Sequence, residues 1–340
     1  MLLREKIEKA EASYMSQYAF LSQNATRKIK IEKDTIRTEF MRDRDRIIHC
    51  KSFRRLKHKT QVFFSPSDDH YRTRMTHTLE VSQVARTIAK ALFLNETLTE
   101  AISLGHDLGH TPFGHAGEAV LNSKLKKGFK HWVQSLRVVD IIEKDGKGLN
   151  LTNQVRDGIL KHSKGRGEII PKDTSKLSTT LEGQVVRIAD IIAYVNHDID
   201  DAVRAGIIKN CDIPKRISDE LGTTHAKRIA TMVKSVVFST MENNYRMVSM
   251  EKNILESLNE LRDFLFERVY YFEGIHKEVE KSSKILSELF DYFMEHQELI
   301  KKKFSDDKEE IVADYISGMT DRFALNLYKK IFLPKPWEVI

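Results

Sequence analysis

The chain has 340 residues, enough for one large domain or two of ordinary size, and 41% of them are hydrophobic, so a sizeable core can form. The content of 31% charged residues, with only 15 glycines and 6 prolines, is typical of a soluble helical protein. No apolar run approaches the roughly 18 residues of a membrane span. A net charge of +7 favours polyanionic partners such as nucleotides, nucleic acid or acidic lipid, without choosing among them.

The N-terminus and the two cysteines indicate the compartment. The first residues alternate charged and apolar side chains and lack the apolar core of a secretion signal. Cys50 and Cys211 have no partner at a metal-binding or redox spacing, which favours reduced thiols. We therefore expect a cytoplasmic protein.

Helical periodicity runs through almost the whole chain. Apolar residues at three- and four-residue spacing predict helices over 75–94, 98–108, 135–142, 155–162, 181–203, 254–271 and 285–300, and another beginning near residue 115. The glycine- and proline-rich run 109–114 predicts a loop, while 144–150 and 163–176 predict surface connections. We find no repeat and no strand-like alternation, which predicts an all-α fold. Its expected parts are an N-terminal helical arm (1–33), a catalytic domain (34–210) and a helical C-terminal region (211–340) packed on that domain.

Candidate chemistry concentrates around the loop at 109–114. Of the 13 histidines, three fall within ten residues: His106, His110 and His115. A single histidine on an apolar face is usually a structural core residue, but three of them beside Asp107 and Glu118 favour a functional site. His106 and Asp107 can bind one ion together only if other elements complete its ligand shell.

Two residues elsewhere can complete that shell. His77 lies near the start of one predicted helix, and Asp190 interrupts an apolar run in another, where a carboxylate is costly unless it is paired with a cation or exposed. The alternative is that Asp190 pairs with Arg187 or lies on a solvated stripe. Helical spacing places Tyr194 and Asp198 on the same face as Asp190, so the three would line one wall of a pocket.

The donor set indicates which ion would bind. Two imidazoles and two carboxylates without a thiolate suit a divalent ion with water in open positions, rather than structural zinc. We therefore expect one divalent metal ion per site, from the set Mn²⁺, Mg²⁺, Fe²⁺, Co²⁺ and Ni²⁺. Such an ion polarises a phosphoryl oxygen and lowers the pKa of bound water, which indicates a phosphohydrolase.

In this order, these residues resemble the HD-domain metal phosphohydrolases. The surrounding motifs are similar to those of the bacterial deoxyguanosine triphosphate triphosphohydrolase family, over most of residues 34–205 and in patches beyond 260. The motifs that carry the resemblance are 42–46 (RDRDR), 53–56 (FRRL), 59–62 (KTQV), 71–77 (YRTRMTH), 106–118 (HDLGHTPFGHAGE), 134–139 (QSLRVV), 187–198 (RIADIIAYVNHD) and 314–322 (DYISGMTDR).

The resemblance implies an HD-domain helical fold with a helical C-terminal extension. It implies a set of metal ligands made up of His77, His106, Asp107 and Asp190. It also implies a catalytic pair, His115 and Glu118, whose i, i+3 spacing lets the carboxylate orient the imidazole. That pair would activate the attacking water or protonate the departing 5′-oxygen, and His110 would reach the phosphates.

Substrate-binding positions follow from the same resemblance. Arg74 matches the arginine at the α-phosphate, a task that suits its planar fork. Gln61 and Val62 match positions against the deoxyribose. Tyr194 and Asp198 match the pair that recognises the sugar, with Asp198 accepting from the 3′-hydroxyl and the tyrosine excluding ribonucleotides by crowding.

Two further positions match the family less closely. His131 aligns with a histidine near the phosphates, but the following Trp132-Val133 departs from the small, polar residues of the pattern. Lys161 matches a triphosphate contact, for which the alternative is a lysine on a solvated face.

The expected activity is metal-dependent hydrolysis of deoxynucleoside triphosphates, dGTP or a broader set, to a deoxynucleoside and inorganic triphosphate. One alternative is a nucleotide 5′-monophosphatase or phosphodiesterase with the same HD site. Another is a single-stranded nucleic-acid-binding protein with a secondary metal site, which the basic charge favours. The expected partners are the deoxynucleoside triphosphate, further copies of the chain in an even-numbered homo-oligomer and single-stranded DNA, with no membrane.

Overall fold

The computed structural model describes residues 2–61, 71–163, 167–171 and 173–334. Val62 and the basic residues Lys164, Arg166 and Lys172 lie outside the described residues. Within those ranges, β pairing is limited to two isolated bridges, and no helix has both the length and the apolar character needed to cross a membrane. The expected all-α class is confirmed.

Helices follow one another along the described chain. Their bounds are α1 (Leu3–Tyr14), α2 (Glu39–Ile48), α3 (Lys51–Arg55), α4 (Arg74–Ala91), α5 (Glu96–Gly105), α6 (His115–Lys124), α7 (His131–Arg137), α8 (Asn153–Lys161), α9 (Leu181–Arg204), α10 (Lys215–Leu221), α11 (His225–Glu242), α12 (Lys252–Leu265), α13 (Glu273–Glu295), α14 (Lys308–Ser317) and α15 (Asp321–Phe332). Helices α7 and α12 continue into π-helical turns over Val138–Ile142 and Phe266–Tyr270. Short 3₁₀ turns cover Ser22–Asn24, Leu56–His58, Thr174–Lys176, Asn210–Asp212 and Gln297–Leu299. The segment Glu143–Gly146 is a turn, since three of its residues have positive φ.

One helix begins earlier than its apolar pattern predicts. The sequence predicts a helix over 285–300, whereas α13 begins at Glu273 and ends at Glu295. Its first turns are mostly polar and are joined by i, i+4 ion pairs, such as Lys277 Nζ to Glu273 Oε1 at 2.7 Å. Only Ile275 and Val279 in these turns pack against the apolar clusters, so the apolar pattern is sparse and does not reveal where the helix begins.

The predicted loop at 109–114 is confirmed, and α6 begins directly after it. Gly114 has a φ of +57°, in the left-handed region that favours glycine. The hydroxyl of Thr111 donates to the carbonyl of Gly114 at 2.8 Å. The loop therefore folds back on itself immediately before the helix that starts with His115.

Helix α9 is the centre of the main core. Thr180 caps its start by accepting from the N–H of Gly183 at 3.2 Å. Apolar residues occupy most sides of the helix, as expected where protein surrounds it. It packs against α4, α5, α8, α11 and α12. A polar side chain on α9 is therefore enclosed by the other helices of the core.

A second apolar cluster forms around α6. Phe113 and Leu121 pack there with Leu286 and Phe290 of α13 and Ile316 of α14. The loop before α6 thus lies between the main core and this cluster. Helices α11 and α12 join the main core while α13 to α15 join the second cluster. The domain bounds of 34–210 and 211–340 stay a prediction.

Two aspartates join the C-terminal helices to the segments that carry the predicted site. Asp314 accepts from Gln134 Nε2 at 2.9 Å. Asp321 accepts from the backbone N–H of Phe113 at 2.9 Å and, with its other oxygen, from the N–H and hydroxyl of Thr60 at 2.9 and 2.7 Å. The C-terminal helices therefore determine where the site loop lies.

Candidate active site

Three helices bring the predicted metal ligands together. His77 lies in the first turn of α4, His106 and Asp107 directly follow the end of α5, and Asp190 lies near the middle of α9. These helices pack on one another in the main core. Residues that are far apart in sequence therefore face a common point.

The distances define a compact donor set. His77 Nε2 lies 3.2 Å from Asp190 Oδ1 and 4.0 Å from Asp107 Oδ2. His106 Nε2 lies 3.4 Å from Asp107 Oδ1 and 4.0 Å from Asp190 Oδ1. One donor atom from each of His77, His106 and Asp107 falls within 4.8 Å of the others. The structure therefore contains a His/Asp cluster that can hold a metal ion.

The two imidazoles are oriented by their other nitrogens. His106 Nδ1 donates to the carbonyl of Ser103 at 2.6 Å, and His77 Nδ1 lies 2.8 Å from His197 Nε2. Nε2 of each ring is thereby directed at the carboxylates. His106 Nε2 is buried and has no hydrogen-bond partner among the described residues. Metal-binding histidines typically engage their second nitrogen in this way, so the donor set fits a divalent ion.

The charges of the cluster depend on one another. Burial alone would raise the pKa of Asp107, but the neighbouring His106, His110 and Arg74 hold that pKa well below its ordinary value. Burial alone would lower the pKa of His77, yet the hydrogen bond and charge of Asp190 raise it. Asp107 therefore stays ionised, as a carboxylate ligand must.

Arg74 borders the donor set. Its Nη1 donates to Asp107 Oδ2 at 2.8 Å, and its Nε is buried without a hydrogen-bond partner in the described ranges. A Cβ built on Gly114 would lie 3.0 Å from Nη2, so the glycine leaves room for the guanidinium. One donor is thus committed to Asp107, while Nε is available to an anion beside the cluster.

A second group of imidazoles surrounds Glu118. The rings of His110 and His131 stack with their centroids 4.0 Å apart. Glu118 Oε2 accepts from His131 Nδ1 at 2.9 Å and lies 3.6 Å from Nδ1 of His115, whose side chain is 82% exposed. Burial alone would raise the pKa of Glu118, but hydrogen bonds from His115 and His131 hold it below the ordinary value. The shorter contact of the carboxylate is therefore with His131.

The predicted sugar wall continues along α9. Tyr194 and Asp198 follow Asp190 by one and two helical turns. Asp198 is buried, and one of its oxygens accepts from the hydroxyl of Tyr270, in the π-helical turn after α12. Burial raises the pKa of Tyr194, which keeps this phenol neutral.

The remaining predicted contacts differ in their surroundings. Oε1 of Gln61 is buried and lacks a hydrogen-bond partner within the described part of the chain. Val62 lies outside the described residues. Lys161 Nζ lies 3.1 Å from Asp157 Oδ1, one turn earlier in α8. The basic group of this lysine is therefore paired within its own helix.

Two further buried residues lie beside the site. His162 is buried, with its ring centroid 4.9 Å from that of His106, and burial lowers its pKa to about 3, so the ring is neutral. Lys59 is fully enclosed, and its amino group donates to the carbonyls of His110 and Ser317, the latter at 2.7 Å. The KTQV motif (59–62) includes Lys59, but no local sequence pattern predicts that this lysine is buried.

The guanidinium of Arg187, which was considered as a partner of Asp190, binds backbone carbonyls. Its Nε donates to the carbonyl of Ile169 at 3.2 Å, Nη1 to that of Ser163 at 3.0 Å and Nη2 to that of Glu168 at 3.2 Å. This arginine thus fastens the connection before α9 to the helix itself.

Unsatisfied polar atoms gather at the site. Thirteen buried side-chain nitrogen or oxygen atoms in the described ranges have no hydrogen-bond partner. Six of them surround the site: Gln61 Oε1, Arg74 Nε, His106 Nε2, His110 Nδ1, His197 Nδ1 and Asp198 Oδ1. A buried unpaired group costs about 1–3 kcal/mol, so this concentration indicates a binding site rather than a packed core.

Comparison with known families and proteins agrees with this geometry. Residues 74–195 match the HD domain family, and residues 248–330 match the phosphohydrolase-associated domain. The chain is therefore an HD-domain protein whose C-terminal helices include an associated domain.

Curated relatives specify the family. A deoxyguanosinetriphosphate triphosphohydrolase-like protein from Caldanaerobacter subterraneus subsp. tengcongensis is 54% identical over 99% of this chain and 98% of the relative. A protein of the same description from Desulfatibacillum aliphaticivorans is 49% identical over 99% of both chains. A solved structure of a hypothetical protein from Aquifex aeolicus is 20% identical, covers 86% of this chain and 68% of that one, and has a TM-score of 0.48. The chain belongs to the family of deoxyguanosinetriphosphate triphosphohydrolase-like proteins.

Proposed function

We propose that this protein is a metal-dependent enzyme that hydrolyses deoxynucleoside triphosphates, dGTP among them, to a deoxynucleoside and inorganic triphosphate. The description of its relatives names that activity, and their similarity extends over nearly the whole chain. The observation that carries the proposal is the position of Arg74, whose unpaired Nε lies beside the His/Asp cluster. A phosphate bound there would contact an arginine fork and a metal site together.

The metal ion would be held by His77, His106, Asp107 and Asp190. When bound, it would polarise a phosphoryl oxygen and lower the pKa of a water molecule. A set of two imidazoles and two carboxylates suits Mn²⁺, Mg²⁺, Fe²⁺, Co²⁺ or Ni²⁺.

The residues around Glu118 would carry out the proton transfer of the hydrolysis. Glu118 lies within reach of both His115 and His131, so it can orient either ring and stabilise an imidazolium. His115 is the exposed member and can reach a 5′-oxygen that leaves with the deoxynucleoside. His110, stacked on His131, would contact the triphosphate through its unpaired Nδ1.

Helix α9 would select the sugar. Tyr194 would lie against C2′ and crowd out a ribose hydroxyl, while Asp198 would accept from the 3′-hydroxyl. Gln61, with its unpaired Oε1, would contact the deoxyribose. The resemblance implies the same role for Val62, which lies outside the described residues. Lys161 would reach the triphosphate only after leaving Asp157, so we expect a smaller effect from its substitution.

The test is product identification. Purified protein would be incubated with each deoxynucleoside triphosphate, each ribonucleotide, a monophosphate and a cyclic nucleotide, with each divalent metal, and the products resolved by ion-exchange chromatography. We expect deoxynucleoside and inorganic triphosphate in equal amounts, and no turnover after EDTA treatment.

Matched histidine substitutions separate the site from the fold. His106→Ala removes a candidate ligand and is expected to abolish turnover, whereas His276→Ala, at an exposed position on α13, is expected to leave it unchanged. Release of pyrophosphate or single phosphates would contradict the proposal. So would salt-dependent binding of single-stranded DNA that survives His106→Ala in a protein without turnover.

We further propose that the protein acts in the cytoplasm as an even-numbered homo-oligomer. Exposed apolar side chains such as Ile48, Leu79 and Phe238 offer surface for self-association. Light scattering after size-exclusion chromatography measures the copy number, and a monomer at micromolar concentration would contradict the proposal.

A further inference from the structure

A run of buried polar side chains leads away from the His/Asp cluster within the main core. Nδ1 of His77 forms a 2.8 Å hydrogen bond with Nε2 of His197. Nδ1 of His197 lies 2.9 Å from Oδ1 of Asp198, at ion-pair distance but in an orientation that leaves both atoms without a hydrogen bond. The other oxygen of Asp198 accepts from the hydroxyl of Tyr270. His197 is thus the link between a candidate metal ligand and the predicted sugar-binding carboxylate.

One arrangement of ring protons fits this geometry. A neutral imidazole carries a single N–H, so His77 can present a lone pair at Nε2 only if its proton is on Nδ1. That proton faces His197 Nε2, which must then be the acceptor. The proton of His197 is consequently on Nδ1, next to the carboxylate of Asp198.

The opposite tautomer of His197 is incompatible with metal binding at His77. With its proton on Nε2, His197 would have to donate to His77 Nδ1, and the proton of His77 would move to Nε2. That nitrogen faces Asp190 and Asp107 and is the atom that a cation requires. The tautomer of His197 therefore decides whether His77 can act as a ligand.

The surroundings argue against a purely structural reason for a histidine here. His197 has no exposed surface, and its ring lies edge-on to that of His77, with the centroids 5.0 Å apart. A fully buried imidazole is costly unless its nitrogens are engaged, and an apolar side chain of similar volume would pack without that cost. The engaged partner at Nε2 is His77.

We propose that His197 is a positioning residue for the metal site, which keeps the ring proton of His77 on Nδ1 and has its own Nδ1 beside the carboxylate of Asp198. The proposal rests on the proposed function for the metal-binding role of His77. It adds a residue that contacts neither the metal ion nor the substrate. Outer partners of metal-binding histidines typically change metal affinity about 10- to 100-fold when they are removed.

Two substitutions separate the contacts of His197. The amide of glutamine reaches the position of Nε2, so His197→Gln can still accept from His77 while it loses the atom beside Asp198. The amide of asparagine stays near the position of Nδ1, so His197→Asn keeps a polar atom beside Asp198 while it loses His77. If the contact with His77 matters, asparagine is the damaging substitution and glutamine rescues it.

The readout is the dissociation constant of Mn²⁺ alone, measured by isothermal titration calorimetry on metal-free protein without nucleotide. We expect His197→Asn to weaken Mn²⁺ binding about 10- to 100-fold and His197→Gln to stay near wild type. The matched controls are His225→Asn and His225→Gln on the neighbouring α11, where His225 Nδ1 contacts Asp200 at 2.7 Å. Both controls are expected to bind Mn²⁺ like wild type, and circular dichroism verifies that every variant is folded.

Each outcome is decisive. Wild-type Mn²⁺ affinity in His197→Asn would overturn the proposal, and so would equal losses in the asparagine and glutamine variants, because they would reflect disturbed packing. The measurement needs no turnover, so it also stands apart from the proposed function. A wild-type protein that binds Mn²⁺ but hydrolyses no deoxynucleoside triphosphate would contradict that function and leave the test of His197 intact.

Discussion

Replacing Asp321 by alanine tests whether the C-terminal helices hold the site loop in place. The carboxylate is buried and accepts three hydrogen bonds, from the N–H of Phe113 and from the N–H and hydroxyl of Thr60. A hydrogen bond to a charged group contributes about 1.5–3 kcal/mol, so the loss of three of them would cost about 4.5 kcal/mol or more, reduced wherever water enters. Phe113 has a φ of +58°, a strained conformation that persists only while its surroundings impose it. We therefore expect loss of both stability and turnover.

The assay is urea unfolding followed by circular dichroism, with turnover measured on the same preparations. Asp307→Ala is the matched control, because this exposed aspartate caps α14 by accepting from the N–H groups of Glu309 and Glu310 at 3.0 and 3.4 Å. Loss of such a cap costs about 1 kcal/mol and should leave turnover intact. Asp321→Asn keeps one acceptor oxygen, so it should fall between the two. If Asp321→Ala were no more destabilising than Asp307→Ala, the inferred attachment of the loop would be refuted.

Three further results are expected from the surroundings of single residues. Burial raises the pKa of the Cys50 thiol to about 12, so a thiol reagent should modify only Cys211 in the native protein and both cysteines after unfolding; rapid modification of two would contradict this. Gly109→Ala should lower the melting temperature more than Gly206→Ala, because a Cβ at Gly109 would lie 2.1 Å from the backbone N of Ser135, whereas Gly206 has open space and only the strain of its φ of +71°. Burial raises the folded-state pKa of Glu182 above its ordinary 4.5, so its contribution to stability is full below that pH and is lost as the pH rises through the folded value. Glu182→Gln should therefore be more stable than wild type at neutral pH, and the advantage should shrink in acid; a difference that does not depend on pH would count against this reasoning.

The fold class was predictable because a helix with one buried face has apolar residues at a regular spacing in the sequence. Helices α4, α5 and α9 each turn an apolar surface to the core, and their predicted bounds lie within a few residues of those observed. The first turns of α13 contain only two apolar residues, Ile275 and Val279, and are supported by ion pairs on the solvent side, so their periodicity is weak. Periodicity detects a helix only where one face is buried.

The candidate site was predictable where several of its residues lie close together in the sequence. His106 and Asp107 are adjacent, and glycine and proline residues predict the loop that follows them. The family resemblance paired His115 with Glu118, and the two lie 3.6 Å apart, but the carboxylate lies nearer to His131. Glu118 also accepts from the backbone N–H of His131 at 3.1 Å, because the first N–H groups of α7 have no partner within their own helix. A helix terminus therefore attracts the carboxylate, which side-chain spacing alone does not reveal.

Tyr270 shows why the rest of the site could not be read from helical spacing. Sequence periodicity predicts one continuous helix over 254–271, but α12 ends at Leu265 and continues as a π-helical turn over Phe266–Tyr270. The extra residue in a π turn rotates every later position by about 100° relative to an α-helix. The phenol therefore points to a different side from the one that a regular helix would give it, and there it donates to Asp198 on α9. The contacts of Asp198 with Tyr270 and of His77 with His197 both depend on how separate helices cross, so they appear only when the packing of α4, α9 and α12 is known.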